Sequence, residues 1–396
     1  MVANIATPAF ASTEIVISGN GAGSDNWATV NQTSTTTVNQ SNNANVTNNV
    51  DADADTGNND ANFNTGGVVV IDTGNATTDI NVANALNSNS ANVNCCAAGG
   101  ADVKISGNGA NSNNGVNLTT VNANSVNQAN SAKVSNDIDS DADTGDNDAL
   151  SNTGGDVMIV TGNAKANVSV STTANVNSAR IGGGLGASNP TASFVISGNG
   201  AGADSYITAL LVKHNAIDQA NYAHVDNNVD ADADTGYNDA NFNTGGDVII
   251  GTGNATVDVD VDNAVNFNYA DVDCGCVWDV LAKIAGNGAE SHRGDKLDNI
   301  ITLNLISDKL LGQGNSAYLD NNLEYLDADT GDNDVNKNTG EAESDPAVVT
   351  GNATSNVDVT NSGNVNTVGN FGWPVMPEVD FSFNFAALWA FFGMSM

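Results

Sequence analysis

Small apolar residues alternate with polar residues along most of the chain. In TDINVANAL (78–86) and ANVSVSTTANV (166–176), Val, Ile, Leu and Ala fall largely at every second position, with Asn, Asp, Ser or Thr between them. A period of two places successive side chains on opposite faces of an extended backbone. We therefore predict an all-β fold whose strands each bury one face.

The same motifs return four times in a constant order. An acidic stretch reads DADADTGNNDA at 51–61 and recurs at 139–149, 230–240 and, in an altered form, at 325–335. Its glycines are Gly57, Gly145, Gly236 and Gly331, which are 88, 91 and 95 residues apart. Such self-similarity indicates tandem structural repeats. We divide the chain into residues 1–11, repeat 1 (12–100), repeat 2 (101–190), repeat 3 (191–279), a divergent repeat 4 (280–370) and residues 371–396.

Turn-like residues recur faster than the repeat itself. In repeat 1 they lie 14 to 22 residues apart, at Asn20, Asn42, Asn58, Asn75 and Asn89. Steps of that size are typical of single coils of a β-solenoid. Four or five coils per repeat, each rising about 4.8 Å, predict a rod roughly 80 to 95 Å long. Val, Ile and Ala would fill a narrow interior, stacked Asn side chains would form amide ladders, and Gly would take positive-φ corners.

A string of calcium-binding immunoglobulin-like sandwiches is the alternative all-β fold, because about 90 residues is also the size of such a domain. Sandwich cores need buried aromatic side chains. Repeat 2 contains no aromatic residue, and aromatics make up only 5% of the chain. The sequence therefore favours the solenoid.

The chain is strongly acidic, with 46 Asp and Glu against 10 Lys and Arg and a formal net charge of −36. This charge repels nucleic acids and anionic membranes and favours cation binding. No apolar run is long enough for a transmembrane segment. MVANIATPAFA (1–11) ends in an A-x-A pattern that is typical of a secretion signal, so we expect either the remnant of a signal peptide or an N-terminal arm.

The acidic stretches are candidate calcium sites. Alternation with Ala places Asp51, Asp53 and Asp55 on one face, and a curl at Thr56–Gly57 would bring them and Asp60 around one hard cation. The alternative is a solvated acidic face. The corresponding candidate ligands are Asp139, Asp141, Asp143 and Asp148 in repeat 2, Asp230, Asp232, Asp234 and Asp239 in repeat 3, and Asp327, Asp329 and Asp334 in repeat 4, where we place Tyr325 at the first position.

Four cysteines follow the TGNA motifs of repeats 1 and 3, at Cys95, Cys96, Cys274 and Cys276. In the predicted rod the two pairs lie too far apart to bridge each other. Disulfides within each pair, disulfides between molecules, free thiols and a metal site remain open, and export favours disulfides.

The C-terminal segment 371–396 holds 8 of the 21 aromatic residues. An isolated aromatic segment of this kind is typical of an intermolecular joint, a cap on the rod or a membrane contact. The candidate assembly residues are Phe371, Trp373, Phe381, Phe383, Phe385, Trp389, Phe391 and Phe392.

Nothing in the sequence indicates an enzyme. His214, His224 and His292 occupy unrelated positions of the repeat, and the glycine-rich SGNGAG is a turn because no helix follows it.

The segments NQSNNANV (39–46), NQANSAKV (127–134), DQANYAHV (218–225) and GQGNSAYL (312–319) resemble the core of a curlin repeat. Curlin proteins are secreted subunits of extracellular amyloid-like fibres in bacterial biofilms, so the resemblance implies a similar structural role. We therefore expect a secreted, non-enzymatic subunit of a cell-surface filament that self-assembles head to tail. The alternative function is a calcium-stiffened adhesin stalk that binds glycans or cell surfaces.

Overall fold

The computed structural model describes residues 2–5, 13–94, 100–182, 191–273, 279–288, 299–340 and 345–369, and every regular element in these ranges is a β-strand, as predicted. The strands are β1 (Val2–Ile5), β2 (Thr13–Ser18), β3 (Asp25–Asp55), β4 (Val69–Asp72), β5 (Ala76–Asn94), β6 (Ala101–Ser106), β7 (Asn113–Asp143), β8 (Val157–Val160), β9 (Ala164–Gly182), β10 (Thr191–Ser197), β11 (Asp204–Asp234), β12 (Val248–Gly251), β13 (Ala255–Asp273), β14 (Asp279–Ala285), β15 (Asn299–Asp329), β16 (Ala347–Val349) and β17 (Ala353–Val368).

Each repeat contributes one strand to each of four parallel sheets. The sheet orders are β2-β6-β10-β14, β3-β7-β11-β15, β4-β8-β12-β16 and β1-β5-β9-β13-β17. Strands of one repeat therefore pair with the equivalent strands of the next repeat. Parallel strands need a long connection between them, and here the rest of the repeat supplies it.

The register keeps equivalent residues in contact. All 31 residues of β3 pair in order with β7, from Asp25↔Asn113 to Asp55↔Asp143, and β7 continues in the same way onto β11. One repeat is therefore one layer of the stack. We call a set of equivalent residues in successive layers a column.

The predicted four or five coils per repeat are wrong. Four layers spaced about 4.8 Å apart are roughly 19 Å high, whereas a single 31-residue strand extends roughly 100 Å within its layer. The error came from Asn42 and Asn89, which resemble turn residues but lie inside β3 and β5 with their side chains facing each other. The sandwich alternative also fails for the described residues, because their strands pair parallel and between repeats.

Within a layer, the shorter strands pack against the long strand. In repeat 2, β6 covers the start of β7 through Val103 and Ile105, which join a cluster with Leu118 of β7. Strand β9 covers the rest of β7 through clusters of Val, Ile and Ala. Phe194 is the largest fully buried side chain in the described residues. This confirms the narrow interior of small apolar residues.

Amide ladders run through the core, as predicted. Asn42, Asn89, Asn130 and Asn177 alternate between the two facing sheets, and each Nδ2 donates to the Oδ1 of the next at 2.8 or 2.9 Å. The zigzag continues through Asn221, Asn268, Asn315 and Asn366. Amide side chains suit these columns because each amide both donates and accepts hydrogen bonds, so identical side chains can bond to one another.

A second ladder joins the glutamines of the four Q-x-N segments. Gln128 donates to Gln40, Gln219 to Gln128 and Gln313 to Gln219, at 2.7 to 2.8 Å. The same Nε2 atoms also bond backbone carbonyls of the facing strand, such as Ser178 for Gln128. These bonds link neighbouring layers and the two facing sheets at once.

The glycine of the acidic stretch is required for a reason other than the predicted positive φ. A Cβ on Gly145 would lie 2.1 Å from the carbonyl oxygen of Gly236 in the next layer, so the backbones can approach only without a side chain. The positive φ falls on the following residue, which is Asn58, Asp146, Tyr237 or Asp332 in the four repeats.

Replacing a central ladder amide is expected to destabilise the fold. Asn177 is 1% exposed, accepts hydrogen bonds from Asn89 and Asn130, and donates to Asn221 and Asn268. Asn177→Ala leaves buried partners unsatisfied and is expected to lower the free energy of unfolding by about 3 kcal/mol. Urea denaturation measures this change.

The matched control is Asn127→Ala, which removes an exposed ladder amide bonded to Asn39. We expect it to change stability by less than about 0.5 kcal/mol. Equal losses for the two variants would contradict a stabilising role for the buried ladder.

Candidate functional site

The acidic stretches form columns of carboxylates on the surface of the stack. Asp51, Asp53 and Asp55 alternate with half-buried Ala residues and are exposed, which confirms that they share one face. The register places Asp53 beside Asp141, and Asp141 beside Asp232. Each carboxylate therefore neighbours its equivalents in the adjacent layers.

Strand β3 contains the first three aspartates of repeat 1. It stays extended to Asp55, whose carboxylate accepts hydrogen bonds from the Gly57 amide at 2.6 Å and from Asn58 Nδ2 at 3.0 Å. Asp60 lies farther on, in a column that pairs it with Asp148. Across the described ranges, no group of three or more His, Cys, Asp or Glu side chains is placed to hold a metal ion. Calcium binding stays a prediction.

In repeat 4 the structure does not place Tyr325 at the first acidic position, where the sequence predicted it. Glu324 pairs with Asp230, and the next pair is Ala231↔Leu326. Tyr325 is thus an inserted residue, with a φ of 50°, rather than the replacement for an aspartate. The first acidic column therefore keeps a carboxylate in all four layers.

Crowding and burial raise the pKa values of the inner carboxylates. Burial raises the pKa of Asp234 to about 7; the Gly236 amide opposes the rise and neighbouring carboxylates, first that of Asp143, add to it. Burial likewise raises the pKa values of Asp143 and Asp232 to about 6. Stacked carboxylates repel one another, so protonation or a bound cation relieves the columns.

The other predicted sites fall partly or wholly outside the described residues. Cys95, Cys96, Cys274 and Cys276 lie there, as does the aromatic segment 371–396. Of the N-terminal segment 1–11, Val2–Ile5 forms β1, which pairs with Ser90–Val93 of β5. The signal-peptide hypothesis stays a prediction.

The two ends of the stack are open sheet edges. Among the described strands, β2, β3 and β4 have no partner on the repeat 1 side, and β14, β15, β16 and β17 have none on the repeat 4 side. Apolar side chains are exposed at both ends, including Trp27 and Phe63 in repeat 1 and Leu305 and Leu310 in repeat 4. Sequence reasoning missed these edges because it placed several coils in each repeat.

Phe63 and Lys337 are further residues that sequence reasoning missed. Both belong to the column Phe63, Ser151, Phe242 and Lys337, whose members all have positive φ. The ammonium of Lys337 lies 4.6 Å from the centre of the Phe242 ring, which is a cation–π contact between layers 3 and 4. Phe63, at the other end of the column, is 78% exposed.

Comparisons of the chain with protein-family models, with curated proteins and with solved structures gave no match. The described part of the chain has no helix with the length and apolarity needed to cross a membrane.

The acidic columns predict that the fold is more stable at pH 5 than at pH 8. A carboxyl group whose pKa is raised in the folded state stabilises the fold at low pH and loses that contribution as the pH rises through the folded pKa. For Asp143, Asp232 and Asp234 the loss falls between about pH 4 and 7. We therefore expect the melting temperature to fall from pH 5 to pH 8.

Asp234→Asn should raise the melting temperature at pH 8 and flatten its pH dependence, because the amide carries no charge. Asp25→Asn, at an exposed position whose strand neighbour is Asn113, is the matched control and should leave the slope unchanged. A melting temperature that rises with pH in the unmodified chain would contradict the account of the columns.

Proposed function

We propose that this protein is the structural subunit of an extracellular filament, in which copies stack head to tail as a continuous β-solenoid. The observation that carries the proposal is the in-register pairing of four similar layers, whose end strands β2, β3 and β4 on one side and β14 to β17 on the other have no further partner among the described strands. Unpaired edges are templates for further strands, and soluble proteins ordinarily block them. The expected secretion and the resemblance of the Q-x-N segments to curlin repeats, both inferred from the sequence, agree with this proposal.

The two ends differ, which favours an open chain of subunits. Repeat 1 forms one end of the stack and repeat 4 forms the other. A contact between these unlike ends leaves a free end on each side of the pair, so further copies can add in the same way. Strand lengths also match, with 31 residues in both β3 and β15 and six and seven residues in β2 and β14. A docked copy would therefore find a partner for most of each strand.

The negative charge of the acidic columns disfavours this contact between the ends of two copies. Docking would place Asp53 and Asp55 of one copy beside Asp327 and Asp329 of the next, since these residues share columns. Like charges at one layer spacing repel, and calcium is a hard cation that carboxylates bind. We expect divalent cations or mildly acidic conditions to promote assembly.

Electron microscopy of the purified chain tests the filament. We expect unbranched filaments with a repeat of about 4.8 Å along the axis, because the layers stack along it. A chain that stays monomeric at every pH and calcium concentration would contradict the proposal.

Removal of residues 371–396 tests the aromatic segment separately. If that segment forms the joint, the shortened chain should remain monomeric under conditions in which the full chain assembles. Filaments of normal stability from the shortened chain would assign the joint to the sheet edges alone.

The second candidate function is a calcium-stiffened adhesin stalk that binds glycans, and the stacked carboxylates favour it. Calcium held between layers should raise the melting temperature of the monomer, and chelation should reverse the rise.

The double variant Asp141→Asn, Asp232→Asn should lose most of that response to calcium, because it removes two neighbouring carboxylates of one column. An unchanged melting temperature on chelation would contradict calcium binding, and glycan-array binding without filaments would favour the stalk.

A further inference from the structure

Gly74 and Gly331 lie at the two open ends of the stack, where no described backbone atom approaches their Cβ positions. In the TGN turns, a Cβ on Gly162 would lie 2.1 Å from the carbonyl oxygen of Gly74, and Gly253 and Gly351 are blocked in the same way by the layer before. Gly74 belongs to the first layer, has no positive φ, and has no atom of the described residues within 4 Å of its Cβ position. Its missing side chain matters only if another layer lies beneath it.

The other end shows the same pattern in the opposite direction. Cβ atoms on Gly57, Gly145 and Gly236 would each meet the glycine carbonyl of the following layer at 2.1 Å. Gly331 is the last member of this column, in repeat 4, and among the described residues only Asp329 Oδ1, at 3.1 Å, lies within 4 Å of its Cβ position. A layer added above repeat 4 would approach Gly331 as closely as Gly331 approaches Gly236.

The Phe63 column supplies complementary chemistry at the two ends. Lys337 has an aromatic ring on one side, that of Phe242, and is exposed in the last layer. Phe63 is exposed in the first layer of the same column. A further layer placed about 4.8 Å above Lys337 would bring Phe63 of another copy to its open side. The ammonium would then lie between two rings.

We propose that repeat 1 of one copy docks on repeat 4 of another in the register that joins the repeats within the chain, so that Gly74 meets Gly351, Gly57 meets Gly331, and Phe63 covers Lys337. This inference rests on the proposed filament and specifies its joint. The partner is a second copy because repeat 1 and repeat 4 of this chain present all three pairs of features at matching positions of the register.

Strand β1 occupies part of the docking edge. It pairs with Ser90–Val93 of β5, and Ser90 and Ala91 share their columns with Thr367 and Val368 of β17. A docked copy places its own Thr367 and Val368 there, so β1 must leave that edge. Removing residues 1–5 should therefore speed assembly and leave the finished filament unchanged.

The test uses Gly74→Ala and Gly331→Ala in the full chain, with assembly followed by sedimentation and electron microscopy. Each variant should stay folded and fail to form filaments, because the new methyl group meets backbone of the next copy. Gly74→Ala should keep the melting temperature of the unmodified monomer, whereas in Gly331→Ala the Asp329 side chain must shift by a few tenths of an ångström to admit the methyl group. Each variant still has one intact end, so an equimolar mixture of the two should give dimers.

Lys337→Ala should raise the critical concentration for assembly about tenfold, through loss of the cation–π contact.

Gly314→Ala is the matched control. Gly314 lies in repeat 4, no atom in the described part of the chain lies within 4 Å of its Cβ position, and its column already contains Ser41, Ala129 and Ala220. It should assemble like the unmodified chain. If the unmodified chain forms filaments and both Gly74→Ala and Gly331→Ala do so equally well, the docking register is wrong while the filament stands. If the unmodified chain forms none, the proposed function itself fails.

Discussion

Backbone pairing between residues 88 to 98 positions apart is the constraint on which the structure depends. Because the layers are in register, nearly every side chain has its equivalent about 4.8 Å away in each adjacent layer. A residue is therefore tolerated according to how it packs against copies of itself. Asn and Gln satisfy one another, small apolar residues fill a narrow core, and glycine allows carbonyls to approach. The fold is stabilised by this repetition instead of by large buried aromatic residues.

The same rule explains where the molecule is strained. Aspartates in a column cannot satisfy one another, and the raised pKa values of Asp143, Asp232 and Asp234 reflect their burial and crowding. The chain reduces such repulsion elsewhere by alternation. Asn167 donates to Asp79, and Asn356 donates to Asp258, in one column that reads Asp, Asn, Asp, Asn. The uninterrupted acidic columns thus stand out as the places where protons or cations would act.

The sequence was sufficient for the all-β class, the four repeats, the amide ladders and the small-residue core, because period-two alternation and Asn abundance are local properties. It did not give the number of layers per repeat, since Asn42 and Asn89 could equally be corners or buried ladder residues. One available signal was overlooked. The Q-x-N and DADTG motifs occur once per repeat, whereas stacked coils of about 20 residues would need similar residues every 20 positions. The roles proposed for the end residues Gly74, Phe63 and Lys337 can be inferred only after the register between the layers is known.

Photo-cross-linking from position 127 tests the layered register most directly. Asn127 is exposed on β7 and pairs with Asn39 of the layer before and Asp218 of the layer after. A benzophenone amino acid placed there should yield cross-links, identified by mass spectrometry, to residues around 39 and 218 in the monomer. Cross-links concentrated about 20 residues away along the chain would mean several coils per repeat and would contradict the account.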